Sequence, residues 1–564
     1  MISRARTIAF VCVALTFARV ALGVNVLTER YDNGRTGANL SESVLSPSTL
    51  GSGTFGKLWS YTVSGSVYAQ PLYVQGLYIP GKGVRDVLYV VTMNDVVYAF
   101  DADSSTNNLL WSVDLTTLTY QGVNSSIPET ELDATQGKTA SGNIVGNIGI
   151  EGTPQIDLST HTMYLVARTQ DSVGPPSLLL TVPTQRLHAL DITTGAEKFN
   201  GPVRISAQVS GSGDGGGTVY FTSQLQNQRA GLALANGQVY IAWASHEDEN
   251  LWHGWVMTYN ATTLAQTGVF CATPNKQGGG IWMSGRAPAV DATGNVYYTT
   301  GNDNNGPGYD GGPDFSESLL IFPSSGTLYP SIWFTPGNWP TLDANDLDFG
   351  ASGPLLIPGT DLVLTGGKTG PLYLLHTGNL ALAQEVATTN SGNVKSGPIY
   401  WNRAAGSPPQ MYVWPDGAYY MTSYQLNGST FASNATGVML SSNSGGVLAL
   451  SANGGTPGSG IVWVSQALQS DGDPAVNSGA LYAYNADSIS QHLWDSTQVP
   501  NDSLGNWPKF APPTVANGRV YIGSVPSDGV SDTSVNVYGL ANYKYPSAAA
   551  RVVVPIITSL LLTN

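Results

Sequence analysis

The sequence predicts an all-β fold: a single β-propeller of four-stranded antiparallel blades, eight of them, with seven as the alternative. Three observations predict it. Strand-like runs are short and bounded by Gly, Asn, Asp and Pro, and no helical periodicity persists for three turns. A unit recurs: a small-residue opening, a strand of the form xVYxxT, a polar pivot, a strand of the form xLYAxD, and an aromatic about ten residues later. Composition agrees, because 66 Gly and 33 Pro describe a turn-rich chain while 42% hydrophobic residues supply a core. Four short strands cannot bury a face alone, so such units must stack in a ring.

The elements follow in order. Residues 1–23 read as a secretory signal: Arg4 and Arg6 precede the apolar run TIAFVCVALTF, and Ala21-Leu22-Gly23 offers a small-residue cleavage site. Export places the protein outside the cell and leaves Cys271 as the one mature cysteine, a small buried residue rather than a nucleophile. Residues 24–54 form a ring-closing segment, in which ERYDNGRTGANLSESVLSP (Glu29 to Pro47) is expected to complete the last blade and remove a free sheet edge.

The propeller occupies residues 55–540. Its units open with SVYAQPLYV, GIEGTPQID, RAGLALANGQVYIAW, SGRAPAVDATGNVYYTT, GASGPLLIP, KSGPIYW and FAPPTVANGRVYIGS. The units between Lys395 and Trp494 are the most blurred. In HALDITTGAEKF, Asp191 is expected to bond turn amides and Phe199 to pack between sheets; Asp101 and Trp111 are expected to tie one blade to the next. Residues 541–564 form an apolar tail. Small residues Ser547 to Ala550 before Val552 to Leu562 resemble a lipid-anchor signal, which makes attachment to the cell surface the alternative to free secretion.

Charge narrows the function. A net charge of -15 would repel nucleic acid phosphates. Sequons at Asn39, Asn124, Asn260, Asn427, Asn434 and Asn501 permit a glycoprotein. No nucleophile elbow, phosphate-cradling loop or dinucleotide fingerprint occurs. In SHEDENLWHGW, residues His246, Glu247, Asp248, Glu249 and His253 invite a metal reading, but consecutive acids at a hairpin tip are usually solvated.

The repeat ALDITTGAEKF, ending on Phe or Trp, resembles the tryptophan-docking repeat of pyrroloquinoline-quinone (PQQ) dehydrogenases, from about Phe55 to Leu540. That motif is structural, and relatives without quinone share it, so function rests on funnel residues. The resemblance implies PQQ with calcium in the funnel. VYYTTGN resembles the strand that carries a calcium ligand, placing Asn302 there; DLDFGASGPLL resembles the segment of the catalytic Asp, placing Asp348 as base beside the metal; LTGGKTGPLYLL resembles the strand of the quinone-contacting cation, placing Lys368. Glu151 is the candidate acidic metal ligand, Trp282 the aromatic floor, and Arg286, with Lys395 and Lys509, part of a cationic throat for a carboxylated ligand. The segment that supplies the family's calcium-binding Glu has no match here, and one mature Cys forbids its vicinal disulfide.

The function so implied is oxidation of an alcohol or sugar hydroxyl. A base takes the hydroxyl proton, and electrons leave to an external acceptor, because no haem-attachment motif is present. The alternative is a non-catalytic PQQ-repeat propeller that acts as a binding or scaffold protein.

Overall fold

The computed structural model describes residues 24–548, except 52, 107–108, 118–121, 136–142, 175–179, 249–250, 304–308, 310, 389–391, 405, 441–443 and 470–475. The signal, the end of the apolar tail and Glu249 therefore lie outside the described residues. The described chain folds into eight sheets, each with an antiparallel four-strand path, to one of which Ala38–Asn39 adds in parallel, and one two-stranded ribbon. In chain order the innermost strands are Leu72–Ile79, Gln155–Asp157, Ala233–Ala235, Ala289–Val290, Leu355–Leu356, Ile399–Trp401, Val447–Ser451 and Thr514–Ala516. Six of the eight neighbouring pairs touch along the strands, and Thr514–Ala516 closes the ring against Leu72–Ile79. This is a β-propeller. The blurred stretch resolves into two sheets, Ile399 to Thr436 and Val447 to Asp495. Helices are confined to connections: Pro47–Leu50, Glu129–Thr135 and Trp339–Ala344.

The recurring motif explains how sheets adhere. The second-strand tyrosine of one sheet donates to the carbonyl of the residue that follows the third-strand Asp or Asn of the next. Tyr89 bonds Ile192 O at 2.8 Å, Tyr164 bonds Ala261 O at 2.6 Å, Tyr412 bonds Ala486 O at 2.7 Å, and Tyr521 bonds Ala102 O at 3.4 Å. That carbonyl is aimed by a side chain. Asp191 Oδ1 accepts the Thr193 amide at 2.7 Å and Asn260 Oδ1 accepts the Thr262 amide at 2.9 Å, closing each turn. Trp111 reaches the same turn, donating Nε1–H to Ile192 O at 3.0 Å and covering Gly195 so closely that a Cβ there would sit 2.8 Å from its ring. The Asp101 carboxylate pairs with Arg85 of its own sheet at 3.1 Å, while its carbonyl accepts from the Tyr61 hydroxyl of the last sheet at 2.7 Å and so ties the two together. Phe199 occupies a turn at φ 56 ahead of the outer strand and is only half-buried.

The last sheet is completed by Phe55–Ser64, antiparallel to Asp532–Leu540. The segment Glu29 to Pro47 takes another course. Arg30, Tyr31 and Arg35 have φ of 58, 72 and 62, so the chain coils where a sheet edge would need it extended. It threads the ring instead. The inner strands donate to it in turn: Ile156 N–H to Leu27 O, Val290 N–H to Asn33 O, Leu356 N–H to Gly34 O, Tyr400 N–H to Thr36 O and Leu450 N–H to Gly37 O, at 2.7 to 2.9 Å. Val26 exchanges both backbone bonds with Tyr73, and Asn39 Nδ2 donates to Val515 O at 3.0 Å. Residues 26–39 thus plug the channel along its inner wall. Asn39, buried there, is closed to glycosylation in the folded state, whereas Asn427, Asn434 and Asn501 are exposed.

Candidate functional site

A cavity of about 420 Å³ opens where the inner strands begin and the second strands end. A register rule builds much of its wall. The residue four positions before the inner strand lines it in five sheets: Tyr68, Glu151, Arg229, Lys395 and Phe510. Residues that follow second strands supply Asn302 and Lys368, and Trp282, Trp252, Asp346, Asp348 and Lys509 add to the polar and aromatic lining. Asn302, Asp348, Lys368, Glu151 and Trp282 therefore share one cavity.

The chain approaches itself closely here. The helix Trp339–Ala344 ends at Asn345; Asp346 turns at φ 51, and Asp348 heads the short turn Phe349–Ser352 that leads into Leu355. Asp348 Oδ2 lies 2.7 Å from Lys368 Nζ, and Oδ1 accepts the Asn302 amide at 2.9 Å. Two glycines make this possible. A Cβ on Gly301 would sit 2.2 Å from Asp348 Oδ1, and one on Gly367 would sit 1.7 Å from Asp348 O. Each functional residue follows the glycine that admits it. Lys368 also pairs with Asp346 at 2.7 Å and lies 5.8 Å above the Trp282 ring, which meets Phe510 edge-on. Burial works against the Lys368 charge, but Asp348 and Asp346 more than offset it and raise its pKa above the ordinary lysine value.

Glu151 is committed elsewhere. Its Oε1 pairs with Arg229 Nε at 3.0 Å and its Oε2 accepts from Asn227 Nδ2 at 2.9 Å. Burial pushes its carboxyl up, with Arg229 and Asn227 pulling against that shift. Calcium takes six to eight oxygen ligands. Both oxygens of Glu151 and of Asp348 already have partners, a cation on each, and no three acidic, His or Cys side chains gather to hold a metal among the described residues. The donors present do not fit a calcium ion. A planar aromatic tricarboxylate such as PQQ fits better: Trp282 offers a face, and Lys368, Lys395 and Lys509 offer cations.

Arg286 is not part of this wall. Met283, Ser284 and Gly285 take φ of 44, 45 and 84, a left-handed run that leaves Trp282 at the cavity and turns Arg286 inward to the plug. There it donates to Pro398 O at 2.7 Å and Arg35 O at 3.2 Å. The throat is also not cationic overall: Lys395 pairs with Asp416 at 2.9 Å, and Glu247, Asp248 and Asp346 share the wall. His246, Glu247 and Asp248 line the cavity rather than a free hairpin tip, while His253 turns away to Asp214 at 3.1 Å. Sequence reasoning missed Arg229, whose signal was its register, and Glu317. That fully buried acid accepts the Phe349 amide at 2.5 Å, directly beyond Asp348; burial, then the Asp348 charge, raises its pKa well above the ordinary value.

No family model and no curated protein matches this sequence. Solved structures do. The quinohemoprotein alcohol dehydrogenase ADHIIG from Pseudomonas putida HK5 superposes with a TM-score of 0.57 at 15% identity, covering 92% of this chain and 81% of that one. The quinohemoprotein alcohol dehydrogenase from Comamonas testosteroni gives 0.54 at 13%, covering 94% and 82%. A europium-containing methanol dehydrogenase gives 0.54 at 12%, covering 92% and 98%. The fold of this chain is the fold of those propellers.

Proposed function

We propose that this chain is a quinone-dependent oxidoreductase that oxidises a hydroxyl of an alcohol or sugar. The observation that carries the reading is the single constellation of Asp348, Lys368, Asn302 and Trp282, drawn from the connections of two neighbouring sheets into one cavity. Nothing local in sequence joins them, and a pure scaffold needs no buried carboxylate gripped by a lysine over an indole.

Trp282 and Phe510 form the aromatic wall for a flat ring system, and Lys368 faces the position where negative charge develops. Bound there, pyrroloquinoline quinone supplies the two-electron acceptor, which an external acceptor later reoxidises. Asp348 is the base. Its carboxylate, 2.7 Å from the Lys368 ammonium, takes the substrate hydroxyl proton as the carbon surrenders its hydride equivalent. The Asn302 amide fixes the carboxylate's rotation. Glu247, Asp248 and Asp346 present acceptors at the wall, suited to further hydroxyls.

Purified protein incubated with PQQ and passed over gel filtration should carry the quinone absorbance in its peak and reduce a dye in the presence of alcohols or sugars. Absence of uptake would leave a propeller that kept the cavity for another ligand.

A further inference from the structure

We infer that Arg229 stands in for the metal ion: the positive charge opposite Glu151 is a fixed guanidinium, and the cavity works without a divalent cation. The inference deepens the quinone reading and rests on it for the identity of the ligand, but not for the ion.

The argument is about donors. Glu151 is the acid that faces Arg229, and its two oxygens are taken by Arg229 and Asn227. Both side chains are nearly sealed, 5% and 8% exposed, so the pair is a built element and not a surface contact. Arg229 is held on its other side too: Nη2 donates to Lys509 O at 3.1 Å and Nη1 reaches Glu151 O at 3.5 Å. Gly285, at φ 84, makes room for it, since a Cβ there would sit 2.5 Å from Nη1. Any side chain at 285 would expel the guanidinium. The second acid, Asp348, is matched by Lys368. Each of these two carboxylates already faces a fixed cation, so a doubly charged ion could take either one only by evicting that cation, which would be left buried and unpaired. Guanidinium and ammonium also perform the ion's electrostatic task, a positive charge beside a ligand's developing oxyanion.

The test is titration of calcium alone, followed by calorimetry, into the purified full chain, with Arg229→Gln and Arg229→Lys alongside and melting curves to establish folding. Wild type and Arg229→Lys should show no saturable binding below about 1 mM, the weak end of calcium modules. Arg229→Gln frees Glu151 and should bind at least about tenfold more tightly. Stoichiometric wild-type binding that Glu151→Gln removes would overturn the inference, whether or not Arg229→Gln folds. A folded Arg229→Gln that gains nothing would also overturn it. A second arm measures PQQ uptake in excess chelator. Uptake equal to that with calcium supports the inference, and uptake only with calcium overturns it. No uptake under either condition counts against the quinone reading alone, and the calcium titration then decides the ion.

Discussion

Two buried arginines make opposite uses of the same chemistry. Arg286, turned toward the plug, donates to neutral backbone carbonyls of Pro398 and Arg35 and sits beside Arg30 and Arg35, with Glu29 and Asp32 near. Burial, then the Arg30 charge, brings its pKa down to about 9. Arg229, in the cavity, faces a carboxylate and a space that a ligand can enter. A cation wrapped in carbonyls holds chain segments together, because each carbonyl it leaves would be orphaned. A cation opposed by an acid at a cavity wall is an electrostatic instrument, ready for a third charge. The plug is architecture; the wall is chemistry.

That contrast can be broken by measurement. The largest effect belongs to the cavity: Asp348→Asn should lower dye-linked oxidation by about 10³-fold, the range of a lost general base, while PQQ uptake is retained. Unchanged turnover would remove Asp348 from the reaction. Next comes the grip on the plug, where Arg286→Met should cost about 3–4 kcal/mol in chemical denaturation, because the Pro398 and Arg35 carbonyls are left unpaired. A variant as stable as wild type but inactive would move Arg286 to the chemical side. Trp111→Ala tests adhesion between sheets, remote from both. Half-buried, with one hydrogen bond to Ile192, it should cost about 2–3 kcal/mol and leave activity in place.

The smallest effect is a pH dependence. Glu317, Glu151 and Asp95 all have folded pKa values raised by burial. An acid with a raised folded pKa stabilises fully below its unfolded pKa, and that contribution is lost as pH rises through the folded value. Melting temperature should therefore be higher by a few degrees at about pH 5 than at about pH 8. Glu317→Gln, which keeps an acceptor for the Phe349 amide without the charge, should flatten the difference. A steeper dependence in that variant would show that Glu317 is not one of its sources.

Much of this was written legibly. Asp191, Thr193 and Gly195 spell a turn through their own side chains and backbone, so the repeat and the propeller follow from local chemistry. Asp348, Asn302 and Lys368 were legible through resemblance, and the glycines before Asn302 and Lys368 give that resemblance a steric reason. The tyrosine in each VY strand was visible, but its partner carbonyl lies in the next sheet, beyond any local pattern. Arg286 was misplaced because three left-handed residues reverse the direction its neighbour Trp282 takes. The N-terminal segment was misjudged for a similar reason: nothing in GRTGANL announces that its bonds will be shared among strands scattered along the whole chain.

The plug has a consequence for the order of assembly. Arg30 donates to Leu448 O, 418 residues away, and Asn39 to Val515 O, 476 away. A ribosome makes residues 26–39 early, yet their partners emerge one sheet after another until synthesis nears its end. Sheets built from neighbouring strands can form during translation, because their contacts are local. The axis cannot. This early segment cannot be fully paired until the last sheet has appeared, so a chain truncated before Val515 would hold most of its sheets and still lack a finished centre.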